Sequence, residues 1–335
     1  MFKYTRTIAG VGLSAIAAIA LSTVALSGIA QAQEKWDMPA AYSGKNYVSK
    51  SYIDFAADVT ANSGGKLEIV VHPAGSLYKG SEILRAVRSG QVPIGGRYMG
   101  AHAKEDPIFG MDVVPFLASD YDAAWKLYQA SKPSVEKALA DRGMKLLYMP
   151  VWPPQGLFSK KEVKTMADMK GARFRAADAN TSRLAVLMGA TPTKTEATEI
   201  SQAFSTGVAD SMMGSGAIGV FQKMWDNVDH FYTVNAWMPK SAVIVNMEAW
   251  NGLDAGLQEV VMKAAGEAEA KVWQAAKDIT QNYNDTMAEN GMKVSAPSEE
   301  LAAEFRDIGA TMAKEWAENA GESGAAALSA FQGSN

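Results

Sequence analysis

The sequence predicts an α/β protein of two domains, with one long helix touching both. Three observations carry this. The chain has 335 residues and 48% hydrophobic content, enough for two cores of ordinary size. Short apolar runs alternate with helical periods in both halves, the pattern of strands joined by crossover helices. From Leu253 to Met287 the apolar residues keep a helical period with no proline, and about 35 residues of helix reach about 50 Å, longer than one small domain.

Residues 1–32 stand apart. Lys3 and Arg6 precede an uncharged apolar stretch, Ile8 to Ile29, and Ala30-Gln31-Ala32 fits the small-x-small rule for cleavage. They read as a signal peptide, with the mature start near Gln33. A membrane anchor is the competing reading, since about 22 apolar residues can span a bilayer. The interrupting Gly, Ser and Thr residues favour cleavage. No cysteine follows to carry a lipid, and no later stretch is long and apolar enough to span. Cleavage removes Lys3 and Arg6 but no acidic residue, so the formal charge of −4 becomes −6. The expected mature protein is soluble and exported.

Trp36 to Tyr42 reads as a first strand, ended by Ser43-Gly44-Lys45-Asn46. Tyr47 to Thr60 puts Val48, Tyr52, Phe55, Ala56 and Val59 at helical spacing, and Asn62-Ser63-Gly64-Gly65 stops that helix. Leu67 to Val71 is a strand closed by His72-Pro73. Ser81 to Ser89 is a short helix capped by Gly90. Val92 to Ile94 begins a strand that ends in Gly95-Gly96-Arg97-Tyr98. This alternation predicts a parallel layer, with ligand beyond the carboxyl ends of its strands. The apolar run Val113 to Leu117 leads into Ser119-Asp120-Tyr121-Asp122, which caps a helix from Ala123 to Ala130. A second helix, Ser134 to Arg142, ends at Gly143. Met144 to Val151 reads as a buried strand.

Trp152-Pro153-Pro154-Gln155-Gly156 breaks the pattern and marks the first domain crossing. The expected domain I takes 33–151 plus about 240–280, and domain II takes 152–239 plus about 281–335. In domain II a helical turn closes on Gly171, Ala172 to Ala176 is a strand, and two helices follow, the second ending at Gly207. Met212 to Gly219 is Gly-rich and reads as a loop, Phe221 to Trp225 as a short helix, Ser241 to Asn246 as a strand. In the long helix, small alanines and the absence of a Leu/Ile repeat argue against a coiled coil. Pro297-Ser298-Glu299-Glu300 starts a last helix, and the tail beyond Glu322 is expected to fray.

Composition removes several chemistries. An acidic chain without a basic patch argues against nucleic acid. With no cysteine, disulfides, thiolate nucleophiles, zinc–cysteine sites and iron–sulfur clusters are excluded. His72, His102 and His230 lie at no ligand spacing, so no metal and no cofactor is expected. Gly214-Ser215-Gly216-Ala217-Ile218-Gly219 matches G-x-G-x-x-G, but Val208 to Met213 is too polar to read as the strand such a site requires. No G-x-S-x-G, P-loop or H-E-x-x-H is present. Glu196 and Glu199 are paired acids at a spacing common on solvated helices.

The informative stretch is Asp168 to Asp210. In Ala172-Arg173-Phe174-Arg175-Ala176 side chains alternate, so Arg173 and Arg175 share a face opposite Phe174. Two guanidiniums at a strand end form an anion seat, each a planar fork matching a carboxylate. Spacing alone leaves open that both are solvated edge charges.

These residues resemble the solute-binding proteins of TRAP transporters, the tripartite ATP-independent periplasmic systems, or DctP-like family. The likeness runs from about Trp36 to about Leu328. It is carried by Asp168-Met169-Lys170-Gly171, Arg173-Phe174-Arg175, Gly189-Ala190-Thr191-Pro192, Glu199 to Phe204 and Gly207-Val208-Ala209-Asp210. Phe55 to Val59, Gly64 to Leu67, Val114 to Leu117 and Val245-Asn246 with Ala249-Trp250 support it. The resemblance implies the two-domain periplasmic binding protein fold with a hinge, a cleft closing over a small organic acid, no catalysis, and delivery to TRAP permease subunits in the membrane by a monomer. It implies that Arg175 pairs with the ligand carboxylate, that Asn46 and Asp178 face the ligand, and that Tyr98 and Gln155 occupy variable pocket positions; Arg173 stays structural. The sialic-acid-binding members' second arginine is absent near Gln155. Ser211-Met212-Met213-Gly214-Ser215 departs from the family's polar pattern. With Trp152, Trp237 and Phe116, this predicts an apolar wall and an aromatic or branched monocarboxylate. The alternatives are a ligand-binding input module for a sensor, and a secreted lyase or hydrolase using Glu199 or Asp210.

Overall fold

A computed structural model of the chain describes residues 33–333; the expected signal peptide, 1–32, lies outside the described residues. The first part runs β1 (Glu34–Pro39), α1 (Tyr47–Asn62), β2 (Leu67–His72), α2 (Gly80–Arg88), β3 (Ile94–Tyr98), α3 (Tyr121–Ala140) and β4 (Met144–Tyr148). Asn46 opens α1 by accepting the Val48 N–H at 2.9 Å. Gly64 and Gly65 follow it with φ of +62° and +78°, a left-handed turn that suits glycine. One face of α1 buries Tyr52, Phe55 and Val59, and full burial of side chains of this size stabilises by about 1.5–3 kcal/mol each.

The middle of the chain runs β5 (Gln155–Ser159), β6 (Arg173–Ala176), α4 (Ala179–Leu187), β7 (Thr191–Lys194), α5 (Ile200–Ser205), β8 (Ser211–Ser215), α6 (Gly216–Phe221) and β9 (His230–Tyr232). The last part runs β10 (Ser241–Asn246), α7 (Met247–Gly252), α8 (Ala255–Glu289), β11 (Lys293–Ser295), α9 (Glu299–Asn319) and α10 (Gly321–Gly333). β1 pairs in parallel with β2, and β10 lies antiparallel between β3 and β4. A bridge between Ala40 and Gly96 joins β1 to β3, so the five strands form one layer. The other sheet has the order β11-β9-β5-β8-β6-β7.

Besides the run along α8 from β10 to β11, the chain passes from one sheet to the other twice, between β4 and β5 and between β9 and β10. The two passages lie side by side: Trp152 N–H donates to Pro239 O at 2.8 Å, Gln155 N–H to Trp237 O at 2.9 Å, and Ser241 N–H to Pro150 O at 3.0 Å. β5 and β10, the strands reached by these passages, run antiparallel to their neighbours. Both sheets are therefore mixed, a correction to the parallel layer expected from alternation alone.

α8 has the 35 residues that the periodicity counted, and it serves both sheets. Val261, Ala264 and Ala265 pack with Trp36 and Phe55 of the first layer. Met287 packs with Phe158 and Phe231 of the second. Trp273 Nε1 donates to Met149 O at 3.0 Å and the Tyr121 hydroxyl to Ala276 O at 2.6 Å, fixing the middle of the helix. The helix before β11 is thus an element of both cores, as expected.

The short helix expected over Phe221 to Trp225 is instead the end of α6 followed by a single turn at Met224–Asp226, and three larger elements differ from the sequence reading. Met212 to Gly219 is not a loop: it forms the wholly buried β8 and then α6. Its glycines are there for close packing. A Cβ on Gly216 would stand 2.9 Å from Tyr283 Cβ, one on Gly219 would overlap the Met287 sulfur, and one on Gly214 would lie 3.2 Å from the Phe158 ring. The two helices expected over Ala123 to Arg142 are one, α3, with Pro133 inside. Tyr128 before the proline and Val135, Ala138 and Leu139 after it are buried in one core, which offsets the roughly 3 kcal/mol an interior proline costs. The tail beyond Glu322 is helical, not frayed: Ala327 and Phe331 bury against the core that holds Ala124 and Leu127 of α3. Its small residues allow that approach.

Candidate functional site

Beyond the carboxyl ends of β3, β6 and β8 lies a cleft enclosing about 830 Å³, part of it continuous with solvent. The first layer contributes Ala41, Tyr42, Gly80, Arg97 and Tyr98; the second contributes Arg175, Ala177, Thr181, Glu196 and Met213-Gly214-Ser215; the passages between them contribute Trp152, Gln155, Trp237 and Pro239. Strand carboxyl ends are where open α/β sheets place ligands, because backbone groups and side chains there are free of the sheet.

Arg175 projects from β6 and is 9% exposed. Its Nε and Nη2 both donate to Thr195 O, at 3.0 and 2.8 Å. That fixes the guanidinium plane and leaves the Nη1–Nη2 edge, a two-pronged donor, without a protein acceptor among the described residues. Burial pulls its pKa below the ordinary arginine value, and nearby Tyr42, Asp178, Tyr98 and Glu196 act the other way; an arginine stays charged through such a shift. Arg173, two residues earlier, is exposed and pairs with Asp210 at 3.1 Å, a surface contact worth at most about 1 kcal/mol. The two arginines read as sharing one strand face thus divide, Arg173 outward and Arg175 in the cleft.

Of the residues singled out from sequence, Arg175, Tyr98, Gln155, Trp152, Met213, Gly214 and Trp237 come together on the cleft wall. Asn46 and Asp178 are not on it. Asn46 is buried as the cap of α1. Asp178 caps α4, accepting from Thr181 N–H at 2.7 Å and Thr181 Oγ1 at 2.9 Å, and its other oxygen accepts the Tyr98 hydroxyl at 2.5 Å. That last bond ties the first layer to the second. Burial and the adjacent Asp178 carboxylate raise the Tyr98 phenol well above its ordinary value, so it stays a donor. Phe116 is not on the wall: with φ of +61° it packs against Gly309.

Sequence reading missed Tyr42, Arg97, Glu196 and Ser215. Tyr42 packs on Trp152 with ring centroids 4.6 Å apart. Burial raises its phenol pKa, while Arg97 and Arg175 both pull the other way, so one hydroxyl lies within the field of both guanidiniums. Arg97 Nη1 and Glu196 Oε2 lie 2.9 and 3.2 Å from where a Cβ on Gly80 would stand, and only glycine leaves that space. Ser215 Oγ is buried with no hydrogen-bond partner among the described residues. Arg97 adjoins Tyr98 in sequence, a signal that was available. The acids named for an enzyme reading are elsewhere: Glu199 is exposed and accepts the Glu196 N–H at 3.2 Å, and Asp210 holds Arg173. Neither is on the cleft wall.

The family described as bacterial extracellular solute-binding protein, family 7 (DctP), matches residues 41–319. The chain belongs to this family. It is a TRAP-type solute-binding protein, a group that binds solutes for transport and does not catalyse reactions. A solved marine-metagenome TRAP solute-binding protein, specific for pyroglutamate and holding co-purified pyroglutamate, is 42% identical. The match covers 90% of this chain and 99% of that one, with a TM-score of 0.88. DctP6 of Bordetella pertussis, an extracytoplasmic solute receptor binding pyroglutamic acid, is also 42% identical, covering 89% and 99% with a TM-score of 0.88. The C4-dicarboxylate-binding periplasmic protein DctP of Rhodobacter capsulatus is 27% identical over 261 residues, 73% of each chain. These likenesses bear out the two-domain α/β fold class. Among the described residues no helix is long and apolar enough to cross a membrane.

Proposed function

We propose that the protein is the periplasmic capture component of a TRAP transporter and that its ligand is pyroglutamate or a close relative, a small ring bearing one carboxylate and one amide. The observation that carries this is the buried Arg175 fork, fixed by Thr195 and left free at the cleft. A carboxylate taken out of water needs such a partner. The wall adds Arg97 and sets Glu196 against the two guanidiniums, a net single positive charge that a monoanion balances and a dicarboxylate exceeds. Ser215 Oγ and Gln155 Oε1 supply polar contacts for a ring amide, while Trp152, Trp237 and Met213 cover the ring's apolar faces. Asn46 and Asp178 act by fixing helix starts and, through Asp178, the Tyr98 hydroxyl. The 42% identity to two proteins that hold pyroglutamate supports the same choice.

In this reading 33–151 with about 240–280 move as one domain, 152–239 with about 281–335 as the other, and the paired passages act as the hinge. The ligand shifts the open–closed balance by bonding to both sides, and the closed form docks on a membrane permease. The signal peptide places the protein in the periplasm. Calorimetry with pyroglutamate, succinate, and an aromatic and a branched monocarboxylate tests the ligand. Tight binding of pyroglutamate with succinate at least about a hundredfold weaker is expected, a gap of about 2.7 kcal/mol. Preference for the aromatic acid would restore the larger ligand expected from the apolar wall, and preference for succinate would overturn the charge argument.

A further inference from the structure

The cleft's second cation is held by a chain of contacts that the first does not have. Arg97 is 6% exposed, and its Nε donates to His102 Nε2 at 3.1 Å. For that bond Nε2 must carry a lone pair. The other ring nitrogen, Nδ1, meets Glu105 Oε1 at 2.6 Å, so the proton of the neutral ring sits on Nδ1. Glu105 Oε2 in turn accepts from Arg88 Nη1 of α2 at 3.1 Å. Arg142, just past α3, donates to the Glu105 carbonyl at 2.8 Å and pairs with Asp106 at 3.2 Å. The charged groups facing the imidazole are therefore Arg97 from β3, Glu105 from its own turn, Arg88 from α2, and Arg142 with Asp106 behind.

We propose that His102 is the positioning residue for Arg97: neutral, it holds the guanidinium in the cleft by accepting from Nε, and protonated, it releases it, so that ligand affinity falls with acid. The reason is local. An imidazolium has a proton on both nitrogens. Its Nε2–H would face the Arg97 Nε–H, donor against donor, with two positive charges at hydrogen-bond distance in a buried place. Arg97 then has no acceptor at Nε and the cleft loses its second cation. Burial, with Arg97 beside it, holds the imidazole below the ordinary histidine range, against the pull of Glu105. The ring is thus neutral at neutral pH and takes up its proton only below the ordinary histidine range.

This rests on the reading of the cleft as an organic-acid site, and the test separates the two. The ligand-free protein is labelled with nitrogen-15 and its arginine Nε–H and histidine resonances are followed between about pH 8 and about pH 5. The Arg97 Nε–H signal should be protected from exchange at the upper end and lost as His102 titrates. It should be absent in His102→Leu and retained at every pH in His102→Gln, whose amide oxygen accepts but does not titrate. In parallel, pyroglutamate affinity is measured by calorimetry across the same range. The wild type should lose affinity toward acid, His102→Gln should stay nearly flat, and His102→Leu should be weak throughout. The ligand's own carboxyl group titrates well below this window, at about pH 3.5. An Arg97 signal unaffected by His102 titration overturns the proposal, as does an equal affinity loss in His102→Gln. Failure of pyroglutamate to bind the wild type at about pH 8 rejects the ligand, and the magnetic-resonance arm then decides the role of His102 alone.

Discussion

Replacing Arg175 with alanine tests the core of the capture reading. Two effects are expected, and they can be measured apart. The bound carboxylate loses its two-pronged partner in a site largely shielded from water, which costs about 3 kcal/mol or more, a weakening of about 150-fold. The Thr195 carbonyl loses both of its guanidinium donors, which costs about 1–3 kcal/mol of folding stability where water does not replace them. Calorimetry with pyroglutamate reads the first effect and the thermal midpoint of the ligand-free protein reads the second. Arg175→Lys separates charge from geometry. It keeps the positive charge but has no planar fork, and a single ammonium cannot reproduce both the Thr195 bonds and a two-oxygen grip. Its binding should fall between the two, about tenfold below wild type. A folded Arg175→Ala protein that binds pyroglutamate within about threefold of wild type, a difference of under 1 kcal/mol, would remove Arg175 from the site and the capture argument with it.

Other parts of the structure give sharper tests of packing and charge. In Gly156→Ala the new methyl group meets the Phe231 ring at 2.6 Å and the Tyr232 carbonyl oxygen; neighbouring backbone cannot yield cheaply, so urea unfolding should show a loss of about 2 kcal/mol. Lys240→Met leaves the buried Asp112 carboxylate without the ammonium now 3.2 Å away and should cost about 3–5 kcal/mol. Adding Asp112→Leu should recover most of that, and simple additivity of the two would refute their coupling. His102 also predicts a stability profile. Its folded-state value is depressed from 6.5, so the unfolded chain binds more protons in mild acid. Its contribution is therefore present above the ordinary histidine value and is lost as pH falls below it. Thermal midpoints should drop further toward acid in the wild type than in His102→Gln.

How far the sequence foretold all this depends on the range of the interaction that decides each part. α8 was legible almost to the residue because a solvent-facing helix leaves its period in the chain itself, with Gly256 flanked only by its own cap and Gly266 pointing into open space. β10 was legible because six consecutive buried positions read as an apolar run. Gly214, Gly216 and Gly219 misled because a glycine required by a neighbour's side chain looks, along the chain, like a glycine required by a turn. Pro133 misled in the same way, since the burial that carries α3 past it comes from residues on both sides and from a core elsewhere. In the cleft, Arg175 was singled out by the resemblance; local strand alternation placed it on one face with Arg173 and left both open. Arg97 carried one local signal, its place beside Tyr98, but Tyr42 and Glu196 carried none, because their meeting depends on which strand ends the two passages bring face to face. The cap role of Asn46 was available locally, three residues before the buried face of α1 begins to repeat, yet a ligand role was expected for it.

The arrangement of charge explains why such a cleft should capture and not react. Two guanidiniums, one from each layer, act on the same Tyr42 hydroxyl, so bringing the layers together confines like charges in a space with little water. That repulsion disfavours an empty closed state. In the proposed capture an organic monoanion reverses the sign of the balance: it is to accept from Arg175 on one side and meet Arg97 on the other, so that closure gains where it had lost. The proposal thereby couples ligand and closure through the same two side chains, as it must if the ligand is to favour one state by bonding differently in the two. Two of the three carboxylates nearby are taken up by protein donors. Asp178 is engaged by Tyr98 and Thr181, Asp210 by Arg173, and Glu196 stands where its charge offsets a guanidinium. Asp178 and Asp210 thus hold donors in place, and the one acid on the cleft wall, Glu196, sets the charge that an anion meets there.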